Sequence, residues 1–130
     1  MASSRRTRPR TPPPDPGEDD ARIRALREAL RAGRPAHELE LGGITVTADT
    51  LRGLTPVDWS GADLRGATFF NVDLSGSRFS GSDLSGAAFH NVNLMRARFA
   101  RCSGRGAVFT DVNLAYSDFS ESDLLSLIHI

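Results

Sequence analysis

The chain has 130 residues and a formal net charge of zero at pH 7, with 16 basic and 16 acidic residues. That length fits one domain plus a tail, and the balanced charge gives no global pull towards nucleic acid or an anionic membrane. Every basic residue is arginine, the single cysteine, Cys102, permits no disulfide framework, and no apolar run is long enough to cross a bilayer. Arg5-Arg6 is not followed by an apolar stretch, so a secretory signal is not expected and a cytoplasmic location is. Residues 1–18 are rich in Arg, Pro and Ser, with the run Thr11-Pro12-Pro13-Pro14. They cannot bury enough surface to order themselves and are expected to form a disordered tail. Residues 19–56 are expected to form a helix and a capping segment. Asp19 or Asp20 N-caps a helix running to about Ala32, and Gly33 and Pro35 end it. Ile23, Leu26 and Leu30 lie on one stripe of that helix, with Ala29 beside them. Leu39 to Val46 alternates about Gly42-Gly43, as either a small hairpin or an irregular first coil. Leu39, Ile44, Leu54 and Trp59 hold a five-residue phase that Asp49 breaks. Thr47 to Leu54 reads as one helical turn before Pro56.

From residue 57 to 124 the phase becomes regular. The central residues are Trp59, Leu64, Phe69, Leu74, Phe79, Leu84, Phe89, Leu94 and Phe99, then, after Gly104, Phe109, Leu114, Phe119 and Leu124. A small residue stands two before each centre, Cys102 among them, and Cys102 is expected to be a buried core thiol. A period of five fits neither a helix nor a continuous strand, but it fits short extended pieces joined by corners. The second residue after each centre is Gly61, Gly66, Asn71, Gly76, Gly81, Gly86 and Asn91 in turn, which suits the positive φ of a type II turn. Four corners close a coil of twenty residues. The sequence shows that longer repeat in Phe69-Phe70-Asn71-Val72-Asp73-Leu74, Phe89-His90-Asn91-Val92-Asn93-Leu94 and Phe109-Thr110-Asp111-Val112-Asn113-Leu114. Such repetition indicates a solenoid, whose open N-terminal end the helix is expected to cover. Arg96, Arg101, Tyr116 and Glu121 occupy corner positions where Gly or Asn would suit, so another turn type is expected there. Gly104 leaves one interior side chain missing.

These motifs resemble the pentapeptide-repeat family, whose repeat is Ala-(Asp/Asn)-Leu-x-x. Ala62-Asp63-Leu64-Arg65-Gly66 matches it directly, and Val72-Asp73-Leu74, Ser82-Asp83-Leu84, Val92-Asn93-Leu94 and Val112-Asn113-Leu114 are close variants. The resemblance covers about half the chain and implies an all-β solenoid, a right-handed quadrilateral β-helix. It also implies a function class, because some members of the family mimic DNA and bind DNA gyrase, conferring quinolone resistance.

Catalytic chemistry is not legible. His37, His90 and His129 have no metal-ligand spacing, no nucleophile–base constellation can be named, and no cofactor motif is present, so neither an enzyme nor a cofactor is expected. What remains is surface. One face of the coil carries Asp63, Asp83 and Asp123 beside Arg65 and Arg105. A second carries Asp58, Arg78, Arg98 and Asp118, and a third Asp73, Asn93 and Asn113. The fourth, with Thr68, Phe70, Ala88, His90, Val108 and Thr110, has no formal charge and is the candidate face for a protein partner or for self-association, an unpaired coil end being the other route to self-association. The expected function is a non-catalytic protein-binding scaffold. One alternative is the gyrase-binding mimic, although eight acidic residues against six arginines between Thr55 and Leu124 make a weak negative field. Another is anion or nucleic-acid binding through Arg96, Arg98, Arg101 and Arg105. The last six residues, 125–130, break the pattern and read as a sequencing-adapter scar, to be left out of the fold.

Overall fold

The computed structural model describes residues 16–123 and 128–129. The expected tail up to Asp15, the centre Leu124 and the rest of the terminal hexapeptide lie outside them. Helix α1 spans Pro16–Arg31 and is followed by a short 3-10 helix, Ala36–Glu38. Among the described residues five short strands follow: β1 (Thr45–Val46), β2 (Thr68–Phe70), β3 (Ala88–His90), β4 (Val108–Thr110) and β5 (Ile128–His129). They form one parallel sheet in sequence order. Thr68 pairs with Ala88 and Ala88 with Val108, so one coil is twenty residues. The other three faces are held by parallel bridges in the same register, such as Asp58 to Arg78 to Arg98 to Asp118 and Asp73 to Asn93 to Asn113.

α1 begins at Pro16, three residues before the expected caps, so Asp19 and Asp20 lie inside it. Proline's fixed φ and missing N–H suit a first helical turn. Its end is as expected. Gly33 takes φ +74°, its N–H bonds to the Leu30 carbonyl at 3.2 Å, and the Arg34 N–H bonds to the Ala29 carbonyl at 2.8 Å. That pairing is a Schellman motif, which only a left-handed residue at Gly33 can close.

The segment between helix and repeats is an irregular first coil and not a hairpin, since β1 runs parallel to β2. Its phase differs from the expected one. Thr45 pairs with Thr68 and Glu40 with Asp63, three residues more than a regular coil. Leu41 and Val46 therefore fill the central positions, and Ile44 takes the small-residue slot; all three are buried, whereas Leu39 and Leu54 are only partly so. The surplus sits in residues 48–54, which form successive turns without becoming a helix. The Arg27 guanidinium donates to the Asp49 and Thr50 carbonyls at 3.0 and 2.6 Å, tying this detour to α1. Arg22 ties the other side, donating to the Glu40 and Gly42 carbonyls at 3.1 and 2.5 Å.

Inside the solenoid the centres stack in four columns. Phe69, Phe89 and Phe109 stack with their rings parallel and centroids 4.7 and 4.8 Å apart, and Phe79, Phe99 and Phe119 likewise at 4.8 and 4.6 Å. The two columns meet edge to face, at 5.9 to 6.4 Å. Both geometries suit the aromatic quadrupole. Leucines fill the remaining walls, Leu64 and Leu84 on one and Leu74 and Leu94 on the other. Leu114, Phe119 and Val112, on the last described coil, are partly buried. Gly104 keeps the register, because Ser103 bridges both Asp83 and Asp123 and the Gly104 N–H bonds to the Asp123 carbonyl at 2.7 Å.

The later corners correct an expectation. Arg96, Arg101, Tyr116 and Glu121 all have φ between +57° and +62°, like the glycines they replace. Ala97 N–H still bonds to the Leu94 carbonyl at 3.0 Å, and Ser117 N–H to Leu114 at 3.1 Å. A positive φ confined to the second central residue of such a turn is the type II geometry. The neighbouring coil imposes it, as the Arg96 N–H is held by the Ala115 carbonyl at 2.9 Å. The terminal hexapeptide is corrected in part as well: Ile128–His129 pairs in register with Val108–Phe109 as β5.

Candidate functional site: an uncharged face and its borders

The repeat places the candidate residues in two adjoining columns. Thr68, Ala88 and Val108 align on one, and Phe70, His90 and Thr110 on the other, all on the outer side of β2, β3 and β4. Their partners in alternation, Phe69, Phe89 and Phe109, point into the core. Phe70 is 47% exposed, and the other five are half-buried. On one side the face is bordered by a column with no side chains, Gly66, Gly86 and Gly106. Each has φ near +70°, a value that disfavours any side chain.

The other border was not singled out from sequence. Asn71, Asn91 and Asp111 form the next corner, with φ +53°, +56° and +55°. The Asn91 Nδ2 donates to Asn71 Oδ1 at 2.7 Å, a rung between successive coils. Past the corner, Asp73, Asn93 and Asn113 each turn an Oδ1 onto the backbone N–H two residues on, at 3.0 Å. Between these columns runs a shallow groove of about 490 Å³ floored by Val72 and Val92. The sequence carries the signal as Asn or Asp recurring at twenty-residue spacing, in the corner residues Asn71 and Asn91 and in the face of Asp73, Asn93 and Asn113, but not the rung between coils.

Charge is neutralised locally on the face of Asp63, Asp83 and Asp123. Arg65 pairs with Asp63 at 2.8 Å and with Asp83 at 3.8 Å, and Arg105 with Asp123 at 3.3 Å. Hydrogen bonds from Ser60 hold Asp58 below the ordinary carboxylate value, those from Ser120 do the same for Asp118, and the Arg65 guanidinium does so for Asp63. The four arginines of the expected anion-binding band do not share a face. Arg105 lies beside Asp123, Arg101 faces Glu121 at 3.8 Å across a corner, and Arg96 lies over the Tyr116 ring at 5.5 Å on another. Arg98 stacks on Arg78 between them.

Cys102 is buried, its Sγ 2.7 Å from the Phe79 carbonyl oxygen, and burial pushes its thiol above the ordinary value. It is a core group and not an exposed nucleophile. Among the described residues no three His, Cys, Asp or Glu side chains gather to hold a metal ion, and no helix is long and apolar enough to cross a membrane.

Comparison with curated protein sequences yields no match. Among solved structures, two trypsin-treated variants of QnrB1, described as a plasmid-mediated fluoroquinolone resistance protein, are similar in fold. They have TM-scores of 0.59 and 0.54 at 22% and 24% identity, and the likeness covers 69% and 64% of this chain. The chain spans 45% and 42% of those two structures. The pentapeptide-repeat protein Rfr23 from the cyanobacterium Cyanothece 51142 matches with a TM-score of 0.53 at 19% identity, over 83% of this chain and 99% of its own. These likenesses fix the fold as a right-handed quadrilateral β-helix with a short N-terminal helix. The profile of the pentapeptide repeat region matches residues 53–127, more than half of the sequence, and the chain belongs to the pentapeptide-repeat family.

Proposed function

We propose that this protein is a non-catalytic scaffold that docks a protein partner through the face formed by Thr68, Phe70, Ala88, His90, Val108 and Thr110. The observation that carries this reading is the contrast between faces. Three strands in register present no formal charge and one half-exposed aromatic, Phe70, while each other face carries aspartate. Solenoids bind through extended faces, and buried aromatic anchors concentrate interface energy. The test is a photo-crosslinking side chain introduced at His90 in the full chain. Adducts of protein mass that vanish with Phe70→Asp, in a variant of unchanged circular dichroism, support the docking role. Absence of any protein adduct overturns it.

A second reading follows from the family, some of whose members bind gyrase: a DNA-mimicking inhibitor of gyrase. Such a mimic needs a strong negative field. Here Asp63, Asp83 and Asp123 are all paired with arginine, which weakens the field along the most acidic face. The scaffold reading is therefore preferred. A gyrase supercoiling assay with and without the protein separates the two.

A further inference from the structure

We infer that the occupant of the uncharged face is a second copy of this chain, docked with the two solenoid axes antiparallel and the two-fold axis running along β3. The inference rests on the docking role proposed above for the same face. A symmetric dimer puts each surface against itself, so the face must be complementary to its own image. With the axis along β3, each column meets itself with its coil order reversed. Phe70 then faces Thr110 of the other copy, Thr68 faces Val108, and Ala88 and His90 face their own equivalents. The one large side chain meets a small one, twice.

The borders fit the same operation. Gly66 meets Gly106, so nothing on that side holds the two backbones apart. Asn71 meets Asp111, an amide donor opposite a carboxylate acceptor, again twice. Neither Asp111 oxygen is needed to hold its own turn in the way that Asp73, Asn93 and Asn113 are used. The other faces fail the operation. The Asp58 face would put Asp58 against Asp118 and Arg78 against Arg98, like charge on like, which is destabilising. The Asp63 face would put Asp63 against Asp123. The Asp73 face is bordered by Arg96 and by Tyr116, which is 81% exposed and keeps a flat partner away.

The face is narrow. Five strands spaced ~4.8 Å apart give a strip about 20 Å long, which places the contact in the weak, transient class. The experiment is therefore sedimentation of the full chain from micromolar to roughly millimolar concentration. The expected result is a concentration-dependent monomer–dimer equilibrium, weakened tenfold or more by Phe70→Asp. Pairing Phe70→Asp with Thr110→Arg places opposite charges face to face in both halves of the dimer and is expected to restore it. A chain that stays monomeric throughout overturns the inference, as does a dimer indifferent to Phe70→Asp or a double variant no better than the single one. A monomer that still yields heterologous adducts from position 90 overturns self-docking and leaves the docking role standing. Loss of all adducts overturns both.

Discussion

Single residues in this fold are governed by the column they stand in. Arg101 illustrates the cost: it holds φ +57° because its N–H is bonded to the Ser120 carbonyl at 2.9 Å. A non-glycine residue in that region carries roughly 1–2 kcal/mol of strain, partly offset in a glycine variant by the greater freedom of the unfolded chain. Arg101→Gly is thus expected to raise stability by up to about 1 kcal/mol in urea denaturation, since the ion pair it gives up with Glu121 is exposed and contributes little. Gly104 stands in the opposite situation. It occupies a central position below which Leu64 and Leu84 are fully packed, and the register through it is unbroken. Gly104→Leu is expected to raise the denaturation midpoint, with a ceiling of about 1.5–3 kcal/mol for a fully buried side chain. A lowered midpoint would show that the neighbouring coil has closed over the space. The aspartates make a third case. Asp58, Asp63 and Asp118 are held below the ordinary value of 3.8 by hydrogen bonds from Ser60, Arg65 and Ser120. Their folded-state values are depressed, so their contribution is complete above about pH 4 and is lost as pH falls through the folded values. Asn93 and Asn113 make the same backbone contact without a charge. Asp118→Asn is accordingly expected to keep the fold at neutral pH and to lessen the loss of stability on acidification, read as the acid-unfolding midpoint.

At the scale of elements, the repeats and the segment before them differ in how far their sequence discloses them. Twenty-residue periodicity placed every described centre from Trp59 to Phe109 in the core, because each coil templates the next and errors of phase cannot accumulate. The first coil has no such template on its N-terminal side. Its three extra residues move the phase from Leu39 and Ile44 to Leu41 and Val46, and no local propensity distinguishes the two choices. The candidate face was legible because it follows from the repeat alone. Its amide border was not, because asparagine at a corner satisfies the turn and leaves its side-chain rung to be seen only in three dimensions. The start of α1 was missed because the aspartates that would serve as caps lie inside the helix. The role of α1 is plainer. Leu26 is fully buried against the first coil, and Arg22 and Arg27 bond to its carbonyls. Leu26→Ala is expected to cost about 2–5 kcal/mol. Trp59, the only tryptophan, is completely buried in the adjoining coil, so its fluorescence reports the loss directly. If Leu26→Ala leaves both the Trp59 emission and the midpoint unchanged, α1 is not the lid of the stack.

The whole molecule is a one-dimensional stack, and its stability should be distributed along the axis. Each coil contacts only its neighbours, so protection depends on how many coils lie on either side. Burial follows that rule. The centres Phe79, Leu84, Phe89, Leu94 and Phe99 are at most 1% exposed, whereas Leu114 and Phe119 are only partly buried. At the other end α1 supplies a cover, which keeps Trp59 and Val46 as buried as the middle of the stack. The expected profile of amide hydrogen exchange is therefore asymmetric, with a slow plateau from about residue 59 to residue 99 and a rise towards residue 123. The same asymmetry orders substitutions in the aromatic columns. Phe89 stacks on Phe69 at 4.7 Å and on Phe109 at 4.8 Å, so Phe89→Ala removes contacts on both sides and separates the stack into two blocks. Its expected cost is about 3–5 kcal/mol, with a broadened or two-step unfolding transition. Phe119 stacks on Phe99 at 4.6 Å from a partly buried coil, and Phe119→Ala is expected to cost less and to leave the transition single. Equal costs for the two substitutions, with exchange rates flat along the chain, would mean that the solenoid unfolds as one cooperative block and that its ends are no weaker than its middle.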